Sequence, residues 1–91
     1  MTYEDEIKPY RETIDRLNDE IIEKLAERQK TALTIGKIKM NYGKPVIDRT
    51  REQTVLNKIK DKASAMGLNP EALEGVFIEI IKLCTKAEET L

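Results

Sequence analysis

Between Glu4 and Tyr42, apolar residues recur at Ile7, Tyr10, Ile14, Leu17, Ile21, Leu25, Ala32 and Ile35. Steps of three and four mark one face of a single amphipathic helix. Nothing breaks the pattern after Pro9. Pro9 fits a first turn, where its missing N–H is unpaired in any case, so the regular helix is expected to begin near Lys8 after a looser turn. At 1.5 Å per residue the stretch is about 50 Å or more long. A chain of 91 residues has few ways to bury so long a face.

The stripe is interrupted by charge. With Ile21 at zero and roughly 100° per residue, Leu25 lies near +40°, Arg28 near −20°, Ala32 near +20°, Ile35 near −40° and Lys39 near 0°. Two cations therefore stand at the centre of the face that should be buried. Lys and Arg are almost never fully buried without a partner, so something anionic is expected to meet them. Snorkelling, or ion pairs to the chain's own carboxylates, is one reading. A bound anion is the other.

Size and composition narrow the choice. Ninety-one residues make one domain, 1–91, with a thin core unless it oligomerises. The chain is 36% charged and 4% aromatic, a helical balance with enough apolar residues to argue against disorder. A net charge of −1 argues against a general nucleic-acid surface, so any anion must be held by a local cluster of cations. No signal peptide or membrane-length apolar run is evident, and a cytoplasmic location is expected. With no His and one Cys, no zinc site, internal disulfide or His-based catalytic pair is expected.

Taken in order, the first helix, about 4–42, is expected to end at Gly43, with Pro45 unable to continue it. A loop over 43–48 follows. A second helix, about 49–66, starts at either an Asp48 N-cap or a Thr50–Gln53 capping box. Its apolar side is Val55, Leu56, Ile59, Ala63 and Met66, which Glu52 continues, and Gly67 ends it. Asn69, Pro70 and Glu71 then supply an N-cap, a proline at the first helical position and a first-turn acid. The third helix, about 70–90, carries Leu73, Phe77, Ile80, Ile81, Cys84 and Leu91 on one face, with Glu88 among them. No strand pattern, phosphate loop or repeat is present. The expected fold class is all-α, three helices that associate with a second copy, because helices two and three folded over the first leave part of its stripe bare.

Arg28, Lys39, Glu52 and Glu88 thus lie on faces that otherwise read as core, with Arg11 on the stripe's margin. Arg28 paired with Glu88, and Lys39 with Glu52, would balance as a structural network. Buried ion pairs gain little over apolar packing, however, and a polar cavity for a small anion gives such a set another reason to exist. Arg28 and Lys39 are about 16 Å apart by rise and can close around one small molecule, whereas Arg11 is about 25 Å from Arg28. If two long helices pair antiparallel about an axis near residue 22 or 23, Arg11 of one chain lies opposite residues 33 to 35 of the other, between Arg28 and Lys39. Two equivalent sites result, each completed by the neighbouring chain.

These residues also resemble a known family. Arg11, the run Leu25-Ala26-Glu27-Arg28, the segment Gly36-Lys37-Ile38-Lys39, the segment Pro45-Val46-Ile47-Asp48-Arg49-Thr50-Arg51-Glu52, and Cys84 with Glu88 are similar in order and spacing to the all-helical class of chorismate mutases. The resemblance covers nearly the whole chain. It implies an intertwined homodimer that converts chorismate to prephenate, the branch step toward phenylalanine and tyrosine, without a cofactor. Arg28 and the partner's Arg11 would hold the two substrate carboxylates. Lys39 would donate to the ether oxygen and a carboxylate, with Glu88 as second donor to the ether oxygen. Glu52 would accept from the ring hydroxyl with backbone help at Asp48, and Arg51 would position that edge. Ile35, Val55 and Ile81 would line the apolar part.

Two positions depart from the family pattern. Many relatives have a neutral Gln at the place of Glu88, and only a protonated Glu can donate, so turnover is expected to fall as Glu88 ionises. Cys84 replaces a small hydroxyl residue, which points to a packed thiol rather than a hydrogen bond to substrate. An isochorismate pyruvate-lyase or an aminodeoxychorismate mutase shares the fold, and a helical dimerisation module without a ligand is the reading from another class. The 91 residues hold no second enzymatic or amino-acid-sensing domain, so feedback control within the chain is not expected.

Overall fold

The computed structural model describes all 91 residues as three helices, α1 (Tyr3–Asn41), α2 (Arg49–Ala65) and α3 (Pro70–Glu89), with no strands. The molecule measures 62 × 26 × 15 Å, and α1, at about 58 Å by rise, accounts for the longest dimension. None of the helices is long and apolar enough to cross a membrane.

The helix α1 begins earlier than Pro9 predicts. Thr2 caps it by accepting from the Asp5 N–H at 3.1 Å, and the Asp5 carboxylate accepts from the Thr2 N–H at 3.2 Å, a capping box with three acids in the first turn. These contacts hold a regular turn before Pro9, which sits inside the helix rather than at its start. At the other end Gly43 adopts φ +64°, the left-handed conformation that closes a helix at least cost.

At α2 the choice of cap falls to Asp48, whose Oδ1 accepts from the Arg51 N–H at 3.0 Å. Asn69 caps α3 in the same way through Ala72, with Pro70 as its first residue. Met66 does not continue the apolar side of α2. It is the C-cap and lies 69% exposed, beyond the last turn that α3 covers.

The helix α3 packs against both α1 and α2, which do not approach each other. Only the C-terminal half of α1 is covered: every residue from Lys8 to Lys24 is exposed, whereas Leu25, Arg28, Gln29, Ala32, Leu33, Gly36 and Lys39 are buried or half-buried. The centre of this covered face lies about 40° from the axis of the apolar stripe. Gln29, Leu33 and Gly36 are therefore inside it, while Ile35 sits at its edge, 46% exposed. Burial within one chain is slight, four residues in all: Gly36, Ala63, Cys84 and Glu88.

Candidate active site

One cavity of about 460 Å³ opens between α3, the part of α1 that it packs against and the start of α2. From α1 it is lined by Arg28, Thr31, Ala32, Ile35 and Lys39; from the loop and α2 by Val46, Asp48, Arg51, Glu52 and Val55; from α3 by Ile81, Cys84, Thr85 and Glu88. All three helices contribute because α3 packs against both α1 and α2 and so brings side chains of each to one opening. Ten of the eleven residues singled out from the sequence meet here. Arg11 does not: it pairs with Glu4 at 2.8 Å on the exposed part of α1, about 25 Å by rise from Arg28.

The balancing network does not form. No ion pair joins Arg28 to Glu88 or Lys39 to Glu52, and Glu52 pairs instead with Arg49 at 3.0 Å. Arg28 donates through Nη1 to the Cys84 sulfur at 2.9 Å, and Lys39 donates through Nζ to the Val46 carbonyl at 2.7 Å. Both cations are half-buried and neither has a carboxylate partner. The cavity also brings three cations, Arg28, Lys39 and Arg51, together with three acids, Asp48, Glu52 and Glu88, without an ion pair between them.

Each acid has a different neighbourhood. The Asp48 side chain is occupied as a helix cap, while its own backbone N–H donates to no group of the chain. Glu52 is held from one side by Arg49. Glu88 is only 9% exposed and makes no hydrogen bond or ion pair, yet no buried polar side-chain atom is left without a partner, so its carboxyl oxygens keep an opening to the cavity. Such a site can take a small anion with a hydroxyl: fork-shaped and point-charge donors on one wall, acceptors on another and an apolar floor between them.

Thr31, Ala32, Val46 and Thr85 also line the cavity. Ala32 could be found from the stripe, one turn after Arg28. Val46 lines it by a backbone contact to Lys39 that no side-chain pattern announces.

Comparison with known proteins fits this geometry. The family model for chorismate mutase type II matches residues 10–89. The chain belongs to that family. It is 37% identical over 90 residues to a bifunctional chorismate mutase/prephenate dehydratase of Aquifex aeolicus, covering 96% of this chain and 25% of that protein. A bifunctional chorismate mutase/prephenate dehydratase of Escherichia coli K12 is 30% identical over 91 residues, 100% of this chain and 24% of its own length. The T-protein of Enterobacter agglomerans is 27% identical over 77 residues, 85% of this chain and 21% of its own. The chain thus spans between a fifth and a quarter of the length of these relatives.

Proposed function

We propose that two copies of this chain form an intertwined homodimer that rearranges chorismate to prephenate in phenylalanine and tyrosine biosynthesis. The observation that carries the reading is a single cavity lined by Arg28 and Lys39, neither of them neutralised by a carboxylate of its own chain. A cation at such a place is stable when an anion from outside completes it.

Charge balance bears on the dimer. Within one chain the lining holds as many acids as cations, so a dianionic substrate calls for an additional positive group. Antiparallel pairing of two α1 helices about residue 22 or 23 supplies it, because the partner's Arg11 then lies between Arg28 and Lys39. The same pairing covers Tyr10, Ile14, Leu17 and Ile21, which are otherwise 40 to 73% exposed.

In this site Arg28 and the partner's Arg11 hold the carboxylates and keep the enolpyruvyl arm over the ring, which lowers the entropic part of the barrier. As the C–O bond breaks ahead of C–C bond formation, negative charge grows on the ether oxygen. Lys39, released from the Val46 carbonyl, and protonated Glu88 donate to that oxygen and favour the transition state over the substrate. Glu52 accepts from the ring hydroxyl while the Asp48 N–H donates to its oxygen, Arg51 positions that edge, and Ile35, Val55 and Ile81 pack against the apolar ring face. The Cys84 sulfur, already taken by Arg28, orients the guanidinium. No nucleophile, general base or cofactor takes part. A cytoplasmic setting, where a lone thiol stays reduced, belongs to the same proposal.

The test is the loss of chorismate ultraviolet absorbance with formation of prephenate. Arg28→Ala is expected to lower kcat/KM by on the order of a hundredfold to a thousandfold, the size of losing one charged transition-state donor. Pyruvate release from isochorismate, or rearrangement of aminodeoxychorismate in preference to chorismate, would reassign the enzyme. Inertness toward all three would leave a dimerisation module.

A further inference from the structure

Gly36 is the one buried residue of α1. Its backbone does not call for glycine, since only Gly43 and Gly67 have positive φ, and glycine weakens the interior of a helix relative to alanine. What calls for it is a close approach. A Cβ at position 36 would stand 2.9 Å from Leu91 Cδ1, 3.2 Å from Glu88 Cγ and 3.6 Å from Glu88 Cβ. Gly75, on α3, has nothing within 4 Å of such an atom.

The two neighbours differ in their freedom to yield. Leu91 lies beyond the Thr90 C-cap of α3, is 45% exposed and can swing its terminal methyl aside. Glu88 is on α3, nine-tenths buried, and its stem rests directly on α1. Nothing else in the chain orients its carboxyl, because the polar contacts of the site run from Arg28 to Cys84, from Lys39 to Val46 and from Arg49 to Glu52. Gly36 lies one turn before Lys39 on the same helix, so the surface that stops the Glu88 stem is part of the element that carries the other proposed ether-oxygen donor.

We infer that Gly36 is a positioning residue for Glu88: the absent side chain at 36 sets how closely the last turn of α3 seats on α1, and with it the placement of the Glu88 carboxyl beside Lys39. Its consequence for rate rests on the reading of Glu88 as a donor to the ether oxygen. The contact itself does not. A methyl group at 36 displaces the Glu88 stem by a few tenths of an ångström. Donors aimed at a transition state are sensitive to shifts of that order.

Gly36→Ala is to be measured in three backgrounds: the native chain, Leu91→Ala, which removes the nearer but yielding contact, and Glu88→Ala, which removes the 3.2 Å neighbour. The expected result is a drop in kcat on the order of tenfold with KM for chorismate held within about twofold, in both the native and Leu91→Ala backgrounds. In Glu88→Ala the same substitution is expected to cost less than about twofold, the signature of energetic coupling between two residues in contact. An equal loss in all three backgrounds would assign Gly36 to helix docking in general and overturn the inference, as would no loss in any.

If the native chain does not turn over chorismate, the proposed function fails, and the placement of Glu88 is still read from its carboxyl carbon resonance in the ligand-free protein. Gly36→Ala is expected to move that resonance in the Leu91→Ala background. An unmoved resonance would overturn the inference independently of activity.

Discussion

The two halves of α1 share one periodicity and have opposite fates. From Lys8 to Lys24 the helix is exposed on every side, its ion pairs being short-range surface ones such as Arg16 with Glu20 at 2.9 Å. From Leu25 to Lys39 the same helix carries α3 on one flank and a cavity beside it. Exposed pairs of the first kind contribute little to stability. An apolar row left bare over four turns, in a helix long past the point where its own chain supports it, reads as a surface awaiting cover. The half that has cover keeps its cations unneutralised, and the half without cover holds the one site candidate, Arg11, that the cavity lacks.

The strongest way to break this comparison is to charge the bare half. Ile14 is 56% exposed in one chain and belongs to the interface in the proposed dimer, so Ile14→Glu places a carboxylate where two stripes meet. Loss of both the dimer and all measurable mutase activity at micromolar concentration is expected, since each proposed site draws on two chains. Sedimentation and activity measured on one sample decide it: an active monomer would refute the shared site.

Arg11→Ala separates the arginine from the interface. It is expected to keep the dimer while lowering kcat/KM by on the order of a hundredfold. The sharper form mixes Arg11→Ala with Arg28→Ala chains after unfolding and refolding together. Heterodimers then hold one site with both arginines, and about a quarter of native activity returns. No recovery above the separate variants would place Arg11 and Arg28 in the same chain's site or put Arg11 outside it.

These expectations depend on how far residues alone betray a structure. The three helices were legible because each has its own punctuation: Gly43 and Gly67 at left-handed closures, Asp48 and Asn69 as caps. Pro9 conceals the start of α1, because the reciprocal contacts of the Thr2–Asp5 capping box hold a regular turn ahead of it. Arg28, Lys39, Glu52 and Glu88 stood out as charges on apolar faces, a conflict that local propensity does not resolve and a site does. Thr31, Val46 and Thr85 carried no such conflict. A threonine on a helix margin is ordinary, and Val46 takes part through its carbonyl. The covered face of α1, turned about 40° from the stripe, could not be found from periodicity, because α3 sits to one side and leaves the rest of the stripe uncovered.

The covered half is probed at Glu88. A neutral acid or an amide can donate to the ether oxygen and a carboxylate cannot, so Glu88→Gln is expected to keep at least the native kcat while Glu88→Ala loses on the order of a hundredfold. Equal kcat in the two variants would remove Glu88 from the role of donor and leave Lys39 alone at that oxygen.

The smallest expected effect concerns the hydroxyl that Cys84 does not provide. Thr13, Thr31, Thr34 and Thr54 each donate to the carbonyl four residues back, whereas Thr85, half-buried in the cavity wall, makes no hydrogen bond within the chain. An uncommitted hydroxyl next to a sulfur already held by Arg28 is placed to meet a polar group of the substrate. Thr85→Val keeps the shape and removes the donor, so kcat/KM should fall about fivefold, the equivalent of a neutral hydrogen bond of about 1 kcal/mol. Thr85→Ser should hold most of the native value. Equal kinetics in all three chains would confine Thr85 to apolar lining, and the covered half of α1 would then face a wall whose polarity comes from charges alone.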